Sequence, residues 1–313
     1  MSVSRFIGQR AAAVICAAGL LAGACTADET DGPPPPIDGL TAGGGGELNA
    51  DERRFLFLAE QELVSRCMAT EGFRYEVVAP PLADFQAEAP PPGVDLDNRR
   101  LVGYGYLAGL PAGGGAHRDA GPQDPNAIYA QSLPPERQQG FQTALFGRDD
   151  QPVIAELPDG DTVSVNAGGC LSEVRIVLYG DLETWLYLDY VTNNLRAEAA
   201  TRMLADDRHR AAVDRWRSCM QARGFDYQTP GDARDAVADM YVAAGADRQA
   251  VLAQEIQIAV ADGECDLETG LSDMVDRLRQ AHLAQVEQDR FGEILGFQEL
   301  QREALDRAED LLR

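Results

Sequence analysis

The stretches "CMATEGFRY" (residues 67–75) and "CMQARGFDY" (219–227) each set a thiol beside a thioether at the head of one spacing, C-M-x-x-x-G-F-x-Y. Soft sulfur ligands suit copper(I), but such a site needs further Met or His ligands, and none lies nearby in sequence. Oxidation to disulfides is the simpler chemistry. Cys67, Cys170, Cys219 and Cys265 form the set beyond the N-terminal region, and four thiols allow three pairings. The repeat selects among them. A second cysteine follows each motif, with apolar residues seven and five places before it (Val163 and Val165; Ile258 and Val260) and a glutamate three places after it (Glu173; Glu268). If each copy closes on itself, the bridges are Cys67–Cys170 and Cys219–Cys265.

Other reactive patterns are sparse. His117 sits in a glycine-rich loop, His209 between arginines and His282 on an expected helix, none in a pairing suited to a metal. There is no G-x-S-x-G elbow. "GYGYLAG" misses the dinucleotide spacing, and "DLDN" and "DGDT" lack the later ligands of a calcium loop. With 51 acidic side chains some carboxylate pair always exists, so no pair marks a glycosidase. The reading is therefore of a protein without evident catalytic activity, cofactor or metal.

Helices must position the two motifs. Before the first, Asn49 with Glu52 three places later makes a capping box, and Phe55, Leu56, Ala59, Leu63 and Cys67 form an apolar stripe. Gly72 then supplies the left-handed turn that ends a helix, with Phe73 folding back on its last turn. Ala212, Trp216, Cys219, Gly224 and Phe225 repeat that grammar. After each second cysteine the chain returns to amphipathic helix, over 171–222 with breaks near Asn193–Asn194 or Asp206–Asp207, and over 266–290 and 297–312. The first copy holds about 57 more residues between its cysteines. That insert, 80–150, contains a Gly/Pro-broken loop around Tyr104 and Tyr106 and a helix from Pro134–Pro135 to Gly147. Long loops are more often functional than not, so Tyr104 and Tyr106 are the candidate partner surface, or else a lid over the first disulfide.

Residues 1–24 set the compartment. Arg5 and Arg10 precede the uncharged run "AAAVICAAGLLAGA", the shape of a secretory signal and too short for a stable span. "LLAGAC" places Cys25 as a lipidated cysteine resembling that of bacterial lipoproteins, with Leu21 one place early. The Pro/Gly-rich stretch to residue 48 reads as a disordered tether reaching about 25–30 Å. The chain carries 51 acidic against 27 basic side chains, every one of the latter arginine. So negative a balance argues against nucleic acid and against electrostatic docking on anionic lipid.

Paired C-M-x-x-x-G-F-x-Y segments with a distant cysteine after each, together with "GYGY" and "LPPERQQGFQTALFG", resemble a group of uncharacterised actinobacterial secreted lipoproteins. The likeness runs over most of 49–313 and implies an exported, lipid-anchored, mainly helical protein; it supplies no catalytic residue. The expected fold is a mainly α, disulfide-stapled bundle of two related units, 49–180 with the insert and 181–313. The expected role is an extracytoplasmic binding or accessory protein, held to the cell membrane by its lipid and working with an envelope protein or small ligand. A structural envelope component or an undetected hydrolase are the alternatives.

Overall fold

The computed structural model describes residues 46–81, 93–109, 124–148, 150–245 and 247–313. Cys25, the signal, most of the tether and His117 lie outside the described residues. The elements run α1 (Ala50–Thr70), α2 (Leu96–Val102), α3 (Tyr106–Gly109), α4 (Pro125–Ser132), α5 (Pro135–Phe146), β1 (Pro152–Glu156), β2 (Thr162–Asn166) and α6 (Cys170–Tyr179). They continue with α7 (Leu182–Asn193), α8 (Leu195–Leu204), α9 (Asp207–Ala222), α10 (Pro230–Ala244), α11 (Arg248–Thr269), α12 (Leu271–Asp289) and α13 (Phe291–Leu312). The protein is mainly helical and carries two disulfides, Cys67–Cys170 and Cys219–Cys265, each with Cα atoms 5.6 Å apart. Among the described residues, β1 and β2 form a lone antiparallel hairpin, with Ile154 opposite Ser164.

Both motifs end their helices alike. Gly72 has φ +77° and the Phe73 N–H donates to the Met68 carbonyl at 2.9 Å; Gly224 has φ +87° and the Phe225 N–H donates to the Met220 carbonyl at 3.0 Å. This six-to-one closure satisfies an otherwise orphaned carbonyl. At its start α1 has the capping box, Asn49 accepting from the Glu52 N–H and Glu52 from the Asn49 N–H. The buried line of α1 is Leu56, Ala59, Val64 and Met68, so methionine lies innermost and Cys67 only half-buried at its edge.

Contacts divide the chain into two compact units, each assembled from separated segments. Among the described residues the first holds 46–80, 124–148, 150–187 and 300–313, and the second 81, 93–109, 188–245 and 247–299. In the first, α1 packs on α6 and α5, Phe73 meets Phe141 edge-on at 5.6 Å, and Arg302 of α13 pairs with the buried Glu52 at 2.7 Å. In the second, Trp216, Met220, Val237, Tyr241, Ile258 and Cys265 make the core. The division read from sequence placed 81–120 with the first copy. In the structure α2 lies against α11, where Gly263 leaves room: a Cβ there would stand 2.7 Å from Leu96 Cδ2.

The approach to the second cysteine differs between copies. Val163 and Val165 lie on β2, which ends before α6 begins at Cys170, whereas Ile258, Val260 and Cys265 all lie within α11. Helix was expected from residue 266; it starts at Arg248 and runs to Gly270, whose left-handed conformation breaks it from α12. No such break interrupts α11 before Cys265, while Gly169, at φ +88°, separates β2 from α6.

Candidate functional site

A cleft of about 590 Å³ opens in the first unit over the Cys67–Cys170 bridge. The end of α1 supplies Cys67 and Glu71, α5 supplies Glu136, Gln139, Gly140 and Thr143, and the start of α6 supplies Cys170 and Glu173. Three glycines shape it. Gly140 admits the Phe73 ring, which would stand 3.2 Å from a Cβ there. Gly147 and Gly169 press backbone to backbone, and a Cβ on Gly169 would fall 2.2 Å from the Gly147 nitrogen. Arg137 lies over the Phe73 ring, 4.4 Å from its centroid, and donates to the Gly72 carbonyl at 2.8 Å, which pins the motif's end against α5. Glu71, Glu136, Glu173 and Arg148 are exposed around the cleft. Among the described residues none of them forms an ion pair. A smaller hollow of about 280 Å³ adjoins along Thr143, Arg148 and Gly169.

Tyr104 and Tyr106 are not among the residues that line this cleft. They are half-buried against the core of the second unit, which contains the Cys219–Cys265 bridge, and not laid over the first disulfide. Their seat is made by two acids of α11, Glu255 at 0% and Asp262 at 2% exposure. Seven residues apart, these two share a helix face. Glu255 Oε1 accepts the backbone N–H groups of Tyr104 (2.9 Å) and Tyr106 (3.1 Å), and its Oε2 accepts the Tyr241 hydroxyl at 2.5 Å. Asp262 accepts the Trp216 indole N–H (2.9 Å), the Arg99 guanidinium (2.8 Å) and the Tyr104 hydroxyl (3.1 Å). Burial first, and Asp262 second, push the Tyr104 phenol well above its ordinary range. Burial and then Glu255 do the same to Tyr241.

This node is fully bonded: every carboxylate oxygen has a donor, as buried charge requires. It holds the strap 96–107 to α11. Gly103 is indispensable to the seat, because its φ is +64° and a Cβ would stand 2.4 Å from Glu255 Cγ. The spacing of "GYGY" therefore records a close backbone approach, a standard demand for glycine. Sequence reading passed over Glu255 and Asp262 because acids abound; the available signal was three acids, Glu255, Asp262 and Asp266, among the otherwise apolar buried positions of α11.

Of the histidines, His282 places Nε2 3.0 Å from Asp206 Oδ2. Arg208, above all, holds that carboxyl below the usual carboxylate range. Among the described residues no group of three His, Cys, Asp or Glu side chains is arranged to hold a metal ion, and no helix is long and apolar enough to cross a membrane. No family model, curated protein or solved structure matches the chain.

Proposed function

We propose that the protein is an exported binding or accessory protein, anchored to the outer face of the cell membrane through lipidated Cys25. Its body is two related disulfide-closed units, and the cleft over Cys67–Cys170 is its binding site. The observation that carries the binding reading is that cleft: concave, walled by a bridge and glycine-tightened loops, and edged by charged groups that do not neutralise one another. Concavity with a few convergent polar groups is the usual form of a ligand site. The unit relationship is supported by the matching helix ends, and by Cys67 Sγ and Cys219 Sγ lying 3.9 and 3.7 Å from the glutamates that follow their partners. The lipoprotein reading is supported by "LLAGAC" and the tether after it; a diacylglyceryl group brings two chains, which stable anchoring takes.

The test joins anchor and cleft. Wild type should partition into detergent and Cys25→Ser into the medium; a water-soluble wild type with unmodified Cys25 removes the anchor from the proposal. A photo-crosslinker at Gln139, on the cleft, should capture a ligand or partner that the same group at Leu267, exposed in the second unit, does not. Equal labelling from both positions would remove the cleft as the binding site.

A further inference from the structure

The two bridges offer an internal comparison. Beside the second, the Arg223 guanidinium lies on Cys219 Sγ at 2.7 Å, donates to Glu268 at 3.0 Å and stands 3.6 Å from Glu264. Arg223 is the fourth residue after the motif's cysteine. In the first copy the fourth residue after Cys67 is Glu71, an exchange of cation for anion at the same turn of the same helix end. Glu173 keeps the place of Glu268, with nearly the same distance to its sulfur. Gly169 stands where the second copy has Glu264, one residue before the partner cysteine. Where the second unit fills this position with its own guanidinium, the first has two unpaired carboxylates and an open cleft.

We propose that the cleft binds a guanidinium group supplied from outside the chain, seated over Cys67 between Glu71 and Glu173. The proposal rests on the reading of the cleft as the binding site and names the chemical class of what enters it. The second copy shows the seat occupied: two glutamates and one bridge sulfur hold a guanidinium there, and the first copy also offers two carboxylates, with Glu71 replacing the resident cation and Glu173 keeping the place of Glu268 while Gly169 leaves the place of Glu264 open. A planar five-donor cation can bridge two carboxylates, which an ammonium does less well. Arg148, on the same cleft, makes no ion pair with either glutamate, so the seat is not filled by the arginine that lines the cleft. The source of the group is a small guanidine or the arginine of a peptide, and the same seat serves both.

Binding of agmatine, of an N-acetylated arginine amide, of an acetylated Gly-Arg-Gly peptide and of putrescine should be compared by calorimetry on the exported full-length protein. Agmatine should bind and putrescine bind at least about tenfold more weakly, one charge-assisted hydrogen bond being worth that factor. Tighter binding of the peptide than of agmatine and the amide assigns the group to a peptide; the reverse assigns it to a small molecule. Glu173→Gln should weaken binding about tenfold, and Glu71→Arg, which copies the second unit, should abolish it with the thermal transition unchanged or raised. Both positions are exposed, so neither substitution threatens the fold. Agmatine bound equally by wild type and Glu71→Arg, or no better than putrescine, overturns the proposal. Capture from Gln139 without agmatine binding would overturn the guanidinium class and leave the cleft reading standing.

Discussion

Replacing Gly103 by alanine separates the two demands that the strap places on glycine. Gly93 has ordinary backbone and nothing within 4 Å of an added methyl; Gly105 has φ +86° and open space; Gly103 has φ +64° and Glu255 Cγ at 2.4 Å. Alanine at Gly93 should cost close to nothing. At Gly105 it costs the left-handed strain alone, about 1 kcal/mol. At Gly103 the strain adds to displacement of a side chain that is 0% exposed, taking with it the bonds from the Tyr104 and Tyr106 N–H groups. Hydrogen bonds to a charged group contribute about 1.5–3 kcal/mol each, and water recovers part of that once the strap lifts. The net is about 4 kcal/mol, close to a thousandfold in the opening equilibrium of the strap. Hydrogen exchange read by mass spectrometry on peptides covering 96–107 measures that opening directly. Exchange in Gly103→Ala no faster than in Gly105→Ala would refute the close approach, and with it the account of why the strap lies on α11.

Three further outcomes follow from the same structure. Tyr75 is pushed up to about 12, by burial first and then by Asp124 and Glu60, so the folded state holds its proton more tightly. The stability this represents is present below about pH 10 and is lost as pH rises toward 12; absorbance at 295 nm should show Tyr75, Tyr104, Tyr227 and Tyr241 ionising above the ordinary phenol range, and ordinary titration of these four would contradict the burial. Gly72→Val and Gly224→Val should each cost roughly 1 kcal/mol or more and nearly the same amount, since both have positive φ and nothing within 4 Å; unequal urea midpoints would argue against equivalent helix ends. The double alanine variants should lose up to about 4.7 kcal/mol for Cys67/Cys170 and about 4 kcal/mol for Cys219/Cys265, from bridges spanning 103 and 46 residues; a larger loss for the shorter bridge in denaturant titration would point to packing rather than chain entropy.

What could be read from sequence was local. Asn49 with Glu52, Gly72 with Phe73, and Pro135 with Gly147 each declare a helix end within two to thirteen residues, and each stands where it was expected. The pairing of the four cysteines was legible because the motif occurs twice. The position of Tyr104 and Tyr106 was not, because their partners Glu255 and Asp262 lie about 150 residues further on, and nothing near "GYGY" distinguishes a mobile aromatic loop from one seated on a distant helix. The approach to Cys265 was misjudged for a related reason. "IQIAV" and "TVSVN" share apolar spacing, but the first is carried in helix by the core around Trp216 and the second closes a hairpin against β1, so tertiary context overrides a five-residue pattern.

The exchange of Glu71 for Arg223 is the converse case. Both letters are plain in the sequence, yet their meaning is geometric: only when Arg223 is seen across Glu268 and on Cys219 does the glutamate at the matching turn become a missing cation. The two helix ends thus share their geometry and differ in charge. The bridge, the glycine and the following phenylalanine are kept because the chain needs them to close each unit. The residue between them is free to change because it faces solvent in both copies, and a reversed charge there leaves the helix end intact while turning a self-neutralised surface into a seat for an outside cation.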